Sequence, residues 1–255
     1  MVGKDNKVAS AARDIAYTAV GCALMLAVQY VTSFVAGVEF VTVVFACFCA
    51  VFGVRRGVLC AVVFSLLRCF IYGFAPNVIV LYLVYYPLFA VVFGLLGRVR
   101  AETIEKKPLA FVAVVNILLI VIATACALAL GLDLIKISRI WKATITALLW
   151  VILALSVVAA IIFDILFFTR RKGGKGRAAV LLSVTFASAA TVMTALFTLI
   201  DDVISPLMLG YSRIAALNYF YVSFTAMLPQ CVCAFISVAA LLIPLTTAIR
   251  KAVKV

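Results

Sequence analysis

The chain alternates long apolar runs with short polar segments, and the runs are the first guide to its fold. A helix needs about 20 residues to cross the hydrocarbon core of a bilayer, and eight runs approach or exceed that length. These runs predict an all-α polytopic membrane protein of about eight transmembrane helices. They are 15–35, 40–53, 57–72, 78–97, 109–131, 143–168, 178–200 and 219–249.

The run 40–53 is the shortest and permits two interpretations. At 1.5 Å per residue its roughly 14 residues cover only about 21 Å. It can therefore enter and leave the membrane on one side, or it can cross obliquely against its neighbours. The distribution of basic residues distinguishes these interpretations.

Basic residues favour one orientation of the chain. With eight crossings and a cytoplasmic N-terminus, seventeen of the 22 Lys and Arg residues lie in inner segments and four lie in outer segments. Such a bias is typical of cytoplasmic loops. We therefore predict that both termini are cytoplasmic and that residues 1–14 form a cytoplasmic N-terminal segment. The remaining basic residue, Arg68, lies inside a run.

Composition supports a single integral membrane domain over residues 1–255. Hydrophobic residues make up 68% of the 255 positions, whereas soluble domains use roughly 45–50%. Because the basic residues belong to loops between apolar runs, the net charge of +13 does not indicate nucleic-acid binding. There is no histidine and no recognisable nucleophile constellation, so we expect no enzyme activity, no catalytic residues, no cofactor and no metal site.

Arg68 is the first candidate functional residue, because an arginine within a membrane span usually faces a protein interior or a cavity. Ala61, Ser65 and Arg68 share one face of the run 57–72, and Glu39 begins the preceding run at a similar depth. Two roles stay open for Arg68. It forms an ion pair with Glu39 that braces two helices, or it binds a carboxylate or carbonyl group of a substrate.

Further polar side chains occur at a similar depth in other runs. Together they predict a cavity open to the outside, for a small molecule that contains a ring. The predicted substrate-binding residues are Glu39, Arg68, Asn77, Tyr82, Tyr86, Asp201, Asp202, Asn218 and Gln230.

The first run carries a stripe of alanines at steps of three and four residues, so that they share one helix face. Small side chains let helix backbones approach closely in lipid. The stripe therefore predicts either packing inside this protein or an interface with another membrane subunit. Its members are Ala12, Ala16, Ala19, Ala23 and Ala27.

The sequence from Ile15 to Arg98 resembles the substrate-binding S components of energy-coupling factor (ECF) vitamin transporters. The resemblance rests on the alanine-rich first helix, the segments 36–40 and 52–57, and the sequence LRCFIYGFAP at 67–76. The last helix, with Pro229 and Gln230 and a basic end at 250–251, is also similar. The similar segments cover about two thirds of the chain.

The resemblance implies a multi-pass subunit of a prokaryotic cytoplasmic membrane that binds a vitamin or related micronutrient from outside. A transmembrane coupling subunit and two ATPase subunits would be its partners, and the alanine stripe would contact the coupling subunit. Because such S components have six helices, residues 15–98 and 177–254 would form the shared core. Residues 109–168 would be an inserted helical hairpin.

Two other classes stay open. A non-transporting scaffold of the cell envelope would recruit partners through its basic loops and would need no cavity around Arg68. A secondary transporter would use Asp201 or Asp202 for proton transfer.

Overall fold

A computed structural model describes residues 2–34, 38–99 and 174–253, together with isolated helical positions between 113 and 165. The described residues are helical, with short turns and no strands. The two runs of the predicted hairpin 109–168 lie outside the described residues, except for those isolated positions. The long helices are α1 (Val2–Thr32), α2 (Val41–Tyr72), α3 (Pro76–Leu96), α4 (Gly174–Met208) and α5 (Arg213–Val253).

All five of these helices include a stretch long and apolar enough to cross a bilayer. Large apolar side chains such as Phe70 and Ile214 are about three-quarters exposed, as lipid-facing residues are. The chain is therefore a helical multi-pass membrane protein, while the count of eight crossings and the sidedness stay predictions. The stretches are Ala11–Thr32, Val41–Tyr72, Pro76–Leu96, Ala179–Met208 and Pro229–Val253.

Helix α2 is interrupted at Gly53, where the chain reverses direction. Gly53 has φ 80° and ψ 178°, a conformation that glycine adopts without the steric cost of a Cβ atom. A Cβ built on Gly57 would lie 2.9 Å from Cys49 Sγ, whereas eight residues of continuous helix span about 12 Å. The predicted runs 40–53 and 57–72 therefore lie on two separate antiparallel limbs, residues 41–52 and 54–72.

The first limb of α2 is buried on every side, since each residue from Val41 to Cys49 is buried. Tyr86 of α3 contacts both limbs, with its ring centroid 5.8 Å from that of Phe45 and 4.9 Å from that of Phe64. α1 packs on the second limb, where Cys22 Sγ lies 3.4 Å from Cys60 Sγ. α5 also packs against α2.

The end of this helical arrangement near Gly53 is tightly packed, and we call it the turn end. A Cβ on Gly97, just beyond α3, would lie 2.5 Å from the Ala50 backbone, so the two backbones are in direct contact. Arg56 and Asp14 form an ion pair of 2.7 Å at this end. The turn end thus fastens α1, α2 and α3 to one another.

The chain forms two compact units, of which Met1–Val99 with Ala189–Val255 is one and Arg100–Ser188 is the other. The first unit contains α1, α2, α3, α5 and the last part of α4. In the second unit, Asn116 Nδ2 donates a hydrogen bond of 2.9 Å to Asp164 Oδ1. The boundaries of these two units differ from those of the predicted core, 15–98 and 177–254, and of the predicted inserted hairpin, 109–168. The division into core and hairpin therefore stays a prediction.

Candidate functional site

The first unit contains a polar cavity of about 300 Å³. The cavity lies away from the turn end. It is found where the loop before α2 meets the middle of α3 and of α5. Its side chains carry one cation, Arg68, and one carboxyl group, Glu39. The lining residues are Gln29, Thr32, Ser33, Val38, Glu39, Val41, Arg68, Tyr72, Tyr82, Tyr85, Tyr86, Thr194, Phe197 and Gln230.

Arg68 reaches the cavity because of its position on the buried face of the second limb of α2. One turn earlier, Ser65 Oγ donates a hydrogen bond to the Tyr82 carbonyl at 3.2 Å, which fixes this face against α3. The guanidinium carbon of Arg68 lies 4.2 Å from the ring centroid of Tyr82 and 4.8 Å from that of Tyr72. Both distances are within the range of a cation–π interaction.

The rings stabilise the charge of Arg68, but they leave its hydrogen bonds unmade. Arg68 Nε is buried and has no hydrogen-bond partner among the described residues. Leaving a buried donor unsatisfied costs about 1–3 kcal/mol, and more for a charged group. The donors of this charged group that can bind an acceptor in the cavity are those on its two terminal nitrogens, Nη1 and Nη2.

Glu39 approaches the same cavity from the loop that precedes α2. Its Oε1 accepts a hydrogen bond of 2.9 Å from Thr42 Oγ1, and its backbone carbonyl accepts one from Cys233 Sγ at 3.5 Å. Burial raises the pKa of Glu39, and the hydrogen bond from Thr42 partly offsets this increase.

Glu39 forms no ion pair with Arg68. Within the described part of the chain, the one ion pair is that between Arg56 and Asp14. The structure therefore does not contain the brace that was one of the two predicted roles of Arg68. Both side chains line the cavity, and each has capacity left to bind a group placed inside it.

Two neutral side chains also present unpartnered oxygen atoms at the cavity. Gln29 donates from Nε2 to the Tyr82 hydroxyl at 3.4 Å, while its buried Oε1 has no hydrogen-bond partner. Thr194 is 2% exposed, and its Oγ1 is unpartnered as well. With Arg68 Nε, three buried polar atoms on three different helices have no hydrogen-bond partner among the described residues, and all three belong to side chains that line the cavity.

An aromatic cluster forms one wall of the cavity. The ring centroids of Tyr82 and Tyr86 lie 5.0 Å apart, and those of Tyr85 and Phe197 lie 4.9 Å apart. Rings held at such separations pack in tilted and edge-to-face arrangements. This wall offers a flat molecule an apolar surface beside the polar groups.

Five of the nine predicted substrate-binding residues line the cavity, and the other four do not. The five are Glu39, Arg68, Tyr82, Tyr86 and Gln230. Of the other four, Asn218 is exposed and Asp202 accepts a hydrogen bond from Ser223 Oγ. Asn77 and Asp201 belong to a separate polar cluster.

That separate cluster joins α3, α4 and α5 through hydrogen bonds among its own members. Asn77 Nδ2 donates to Ser205 Oγ at 2.9 Å, and Ser205 Oγ donates to Asp201 Oδ1 at 2.5 Å. Tyr219 donates its hydroxyl to Asp201 Oδ2 at 2.7 Å. Both carboxylate oxygens of Asp201 thus accept a hydrogen bond from another member of the cluster. These bonds connect the ends of the three helices.

Sequence reasoning missed several lining residues, above all Gln29 and Thr194. Gln29 carries the one side-chain amide in the apolar part of α1, and it is in register with Met25 and Cys22, which are buried. A polar residue in register with a buried apolar stripe was the available signal. Thr194 gave no such signal, because many Ser and Thr residues occur along α4.

The alanine stripe of α1 faces away from the first unit. All five of its members, Ala12, Ala16, Ala19, Ala23 and Ala27, are exposed, and the buried face of α1 carries Thr18, Gly21, Cys22 and Met25 instead. The stripe therefore does not serve as the packing face of α1 on α2.

The fold and the site together define a helical multi-pass membrane protein with a polar, partly aromatic cavity between its helices. Comparison with protein-family models, with curated proteins and with solved structures gave no match. The cavity and the exposed face of α1 are therefore the two features of the molecule that bear on its function.

Proposed function

We propose that this protein is the substrate-binding subunit of an ECF-type importer in a prokaryotic cytoplasmic membrane. It binds a vitamin or related micronutrient from outside, and separate ATPase subunits supply the energy for uptake. The observation that carries the proposal is the guanidinium of Arg68, which lies over two tyrosine rings at a cavity of about 300 Å³ and has no ion-pair partner among the described residues.

The cavity has the properties of a small-molecule site. Such sites are mostly apolar, with a few polar groups that fix the orientation of the ligand, and they begin at about 300 Å³. Here the tyrosines supply the apolar surface, while Arg68, Glu39 and Gln230 supply polar side chains. Arg68 has no carboxylate partner among the described residues, and this favours binding over a purely structural role.

The exposed alanine stripe supports the proposed partners, which are a transmembrane coupling subunit and two ATPase subunits. Lipid tails gain nothing from a row of methyl groups, whereas another helix can approach such a row closely. Ala16 and Ala23 lie two turns apart near the middle of the exposed face. This face is the proposed contact with the coupling subunit.

The proposal is tested by identifying what the purified protein carries. Wild-type protein, extracted in mild detergent and then denatured, is expected to release a small molecule in near-stoichiometric amount, measured by mass spectrometry. Arg68→Ala is expected to release much less. Arg213→Ala removes an exposed arginine outside the cavity and is the matched control. Wild-type protein that neither carries nor binds a small molecule contradicts the proposal.

A second measurement separates the importer from a secondary transporter. Uptake into vesicles that contain this protein alone, driven by a proton gradient, would support the secondary transporter. Uptake that requires ATP and the coupling subunit, and that is lost in Ala16→Trp with Ala23→Trp, supports the importer.

A further inference from the structure

The lining of the cavity also indicates the chemical class of the ligand, an inference that rests on the proposed function. The first observation is the shape of the Arg68 guanidinium. Its five N–H donors lie in one plane in a fixed fork, which matches the two oxygens of a carboxylate. The rings of Tyr72 and Tyr82 attract the charge, but a ring face is a poor substitute for an oxygen acceptor.

The orphaned atom of Arg68 narrows the match further. Nε is enclosed by protein, so the edge of the fork that can meet a ligand is the one formed by the two terminal Nη groups. Two parallel donors of this kind bind a carboxylate through both of its oxygens at once. A neutral carbonyl has one oxygen for the two donors and no charge to balance the guanidinium, so it matches this edge less well.

The second observation concerns Glu39, whose requirement is the opposite. An ionised carboxylate only accepts hydrogen bonds, and among the described residues Thr42 donates to Oε1 while no hydrogen bond reaches Oε2. A ligand carboxylate alone would be repelled by Glu39. A ligand that also carries an ammonium group would satisfy Oε2 and neutralise the charge.

The third observation is the volume of the cavity, which limits the size of the ligand. A cavity of about 300 Å³ holds roughly ten to fifteen non-hydrogen atoms, given about 30 Å³ for each water molecule in the liquid. One six-membered ring with two short polar substituents fills this space. The rings of Tyr82, Tyr85 and Tyr86 provide an apolar surface for it.

We infer that the cavity binds a small zwitterion built on one flat ring, with its carboxylate on Arg68 and its ammonium group on Glu39. The two charged residues thereby bind the two ends of one molecule, and the aromatic wall contacts its ring.

Three related probes test this inference on the full-length protein in detergent, with dissociation constants measured by titration calorimetry. 4-(Aminomethyl)benzoate carries both charges, its methyl ester lacks the anion, and 4-methylbenzoate lacks the cation. We expect the zwitterion to bind most tightly. Each of the other two probes is expected to bind about 10- to 150-fold more weakly, as the loss of one charge-assisted contact predicts.

Two variants assign each end of the probe to its residue. Arg68→Ala should abolish the preference for the acid over the ester while it retains the preference for the ammonium group. Glu39→Gln should do the reverse. Arg213→Ala, which alters an exposed arginine outside the cavity, should retain both preferences.

The outcomes also separate this inference from the proposed function. Equal binding of the three probes, or binding of none of them at about 10 mM, overturns the zwitterion. If the protein then still releases a bound molecule of other chemistry, the proposed function stands and only the ligand class falls. If it releases nothing and binds nothing, both fall.

Discussion

Two arginines on the second limb of α2 have similar aromatic surroundings and different partners. Arg56 lies 5.5 Å from the ring centroid of Tyr17 and 5.9 Å from that of Phe52, and it is paired with Asp14 at 2.7 Å. Arg68 lies closer to its two rings and has no carboxylate partner among the described residues. Aromatic contacts therefore occur at both sites, whereas the counter-charge occurs at one.

The difference shows how one helix serves two purposes. At the turn end, the protein itself supplies a carboxylate for its arginine, and backbones touch at Gly97. At the cavity, Arg68 lines open space and has no carboxylate partner among the described residues. The first arrangement stabilises the fold, and the second is suited to binding a molecule from outside the protein.

The largest effect is expected at the turn end, from Gly97→Ala. A Cβ at this position lies 2.5 Å from the backbone of Ala50, so two backbones must move apart, and we expect a loss of about 3 kcal/mol of unfolding free energy. Denaturant unfolding in detergent measures it. The same substitution at Gly210, where no atom lies within 4 Å but φ is +64°, should cost about 1 kcal/mol. Equal losses would show that the turn end is not tightly packed.

The next largest effect is expected at the cavity, from Arg68→Ala. The affinity for the natural ligand or for 4-(aminomethyl)benzoate should fall about 10- to 150-fold, which corresponds to about 1.5–3 kcal/mol. Unfolding free energy should change little, because the lost cation–π contacts are offset by the removal of a buried donor that has no partner among the described residues. Arg56→Ala is the matched control and should leave the affinity unchanged. A comparable loss of affinity in both variants would remove the distinction between the two arginines.

A smaller effect is expected from Asp14→Asn, which removes the counter-charge of Arg56. The side chains of Arg56 and Asp14 are 35% and 28% exposed, so solvent screens the pair and its contribution should not exceed about 1 kcal/mol. The measurement is unfolding free energy at low and high salt. Reduced sensitivity to salt in the variant supports the ion pair, and ligand affinity should stay at the wild-type value.

The smallest effect is expected from Tyr82→Phe. The change keeps the ring over which Arg68 lies and removes only the hydroxyl that accepts the long hydrogen bond from Gln29. Unfolding free energy should fall by about 0.5 kcal/mol, with less than a threefold change in affinity. Tyr82→Leu, which removes the ring, should weaken binding more. If the two variants weaken binding equally, the hydroxyl and not the ring holds the ligand site together.

Charged residues in the sequence indicated part of the cavity lining. The direction in which other side chains point around their helix axes could not be predicted in the same way. Arg68 and Glu39 were predictable as cavity residues because an ionisable group within an apolar run needs a polar surrounding. Asp201 was expected beside them on the basis of depth alone. Depth does not fix the direction around a helix axis, and Asp201 instead faces Ser205 and Tyr219.

Gln29 shows the opposite error. The regular alanines of α1 drew attention to one face of that helix, whereas its polar contribution to the cavity lies on the opposite, buried face. Which face is covered depends on packing against Cys60 of α2, a contact between residues distant in sequence. A periodicity in one helix cannot specify its neighbours.

The short first limb of α2 offers an origin for the cavity. Its twelve residues, 41–52, rise about 18 Å, whereas the second limb, 54–72, rises about 28 Å. Both limbs start from the same reversal at Gly53, so the first stops about 10 Å short of the second. Tyr82 lies about 9 Å along α3 from its first residue, at the inner edge of this shortfall, and Tyr86 lies next to Phe45 of the first limb. A membrane helix that is too short would normally strain the surrounding lipid, but this limb is enclosed by protein. The deficit in helix length thus becomes an internal recess and leaves the bilayer unstrained.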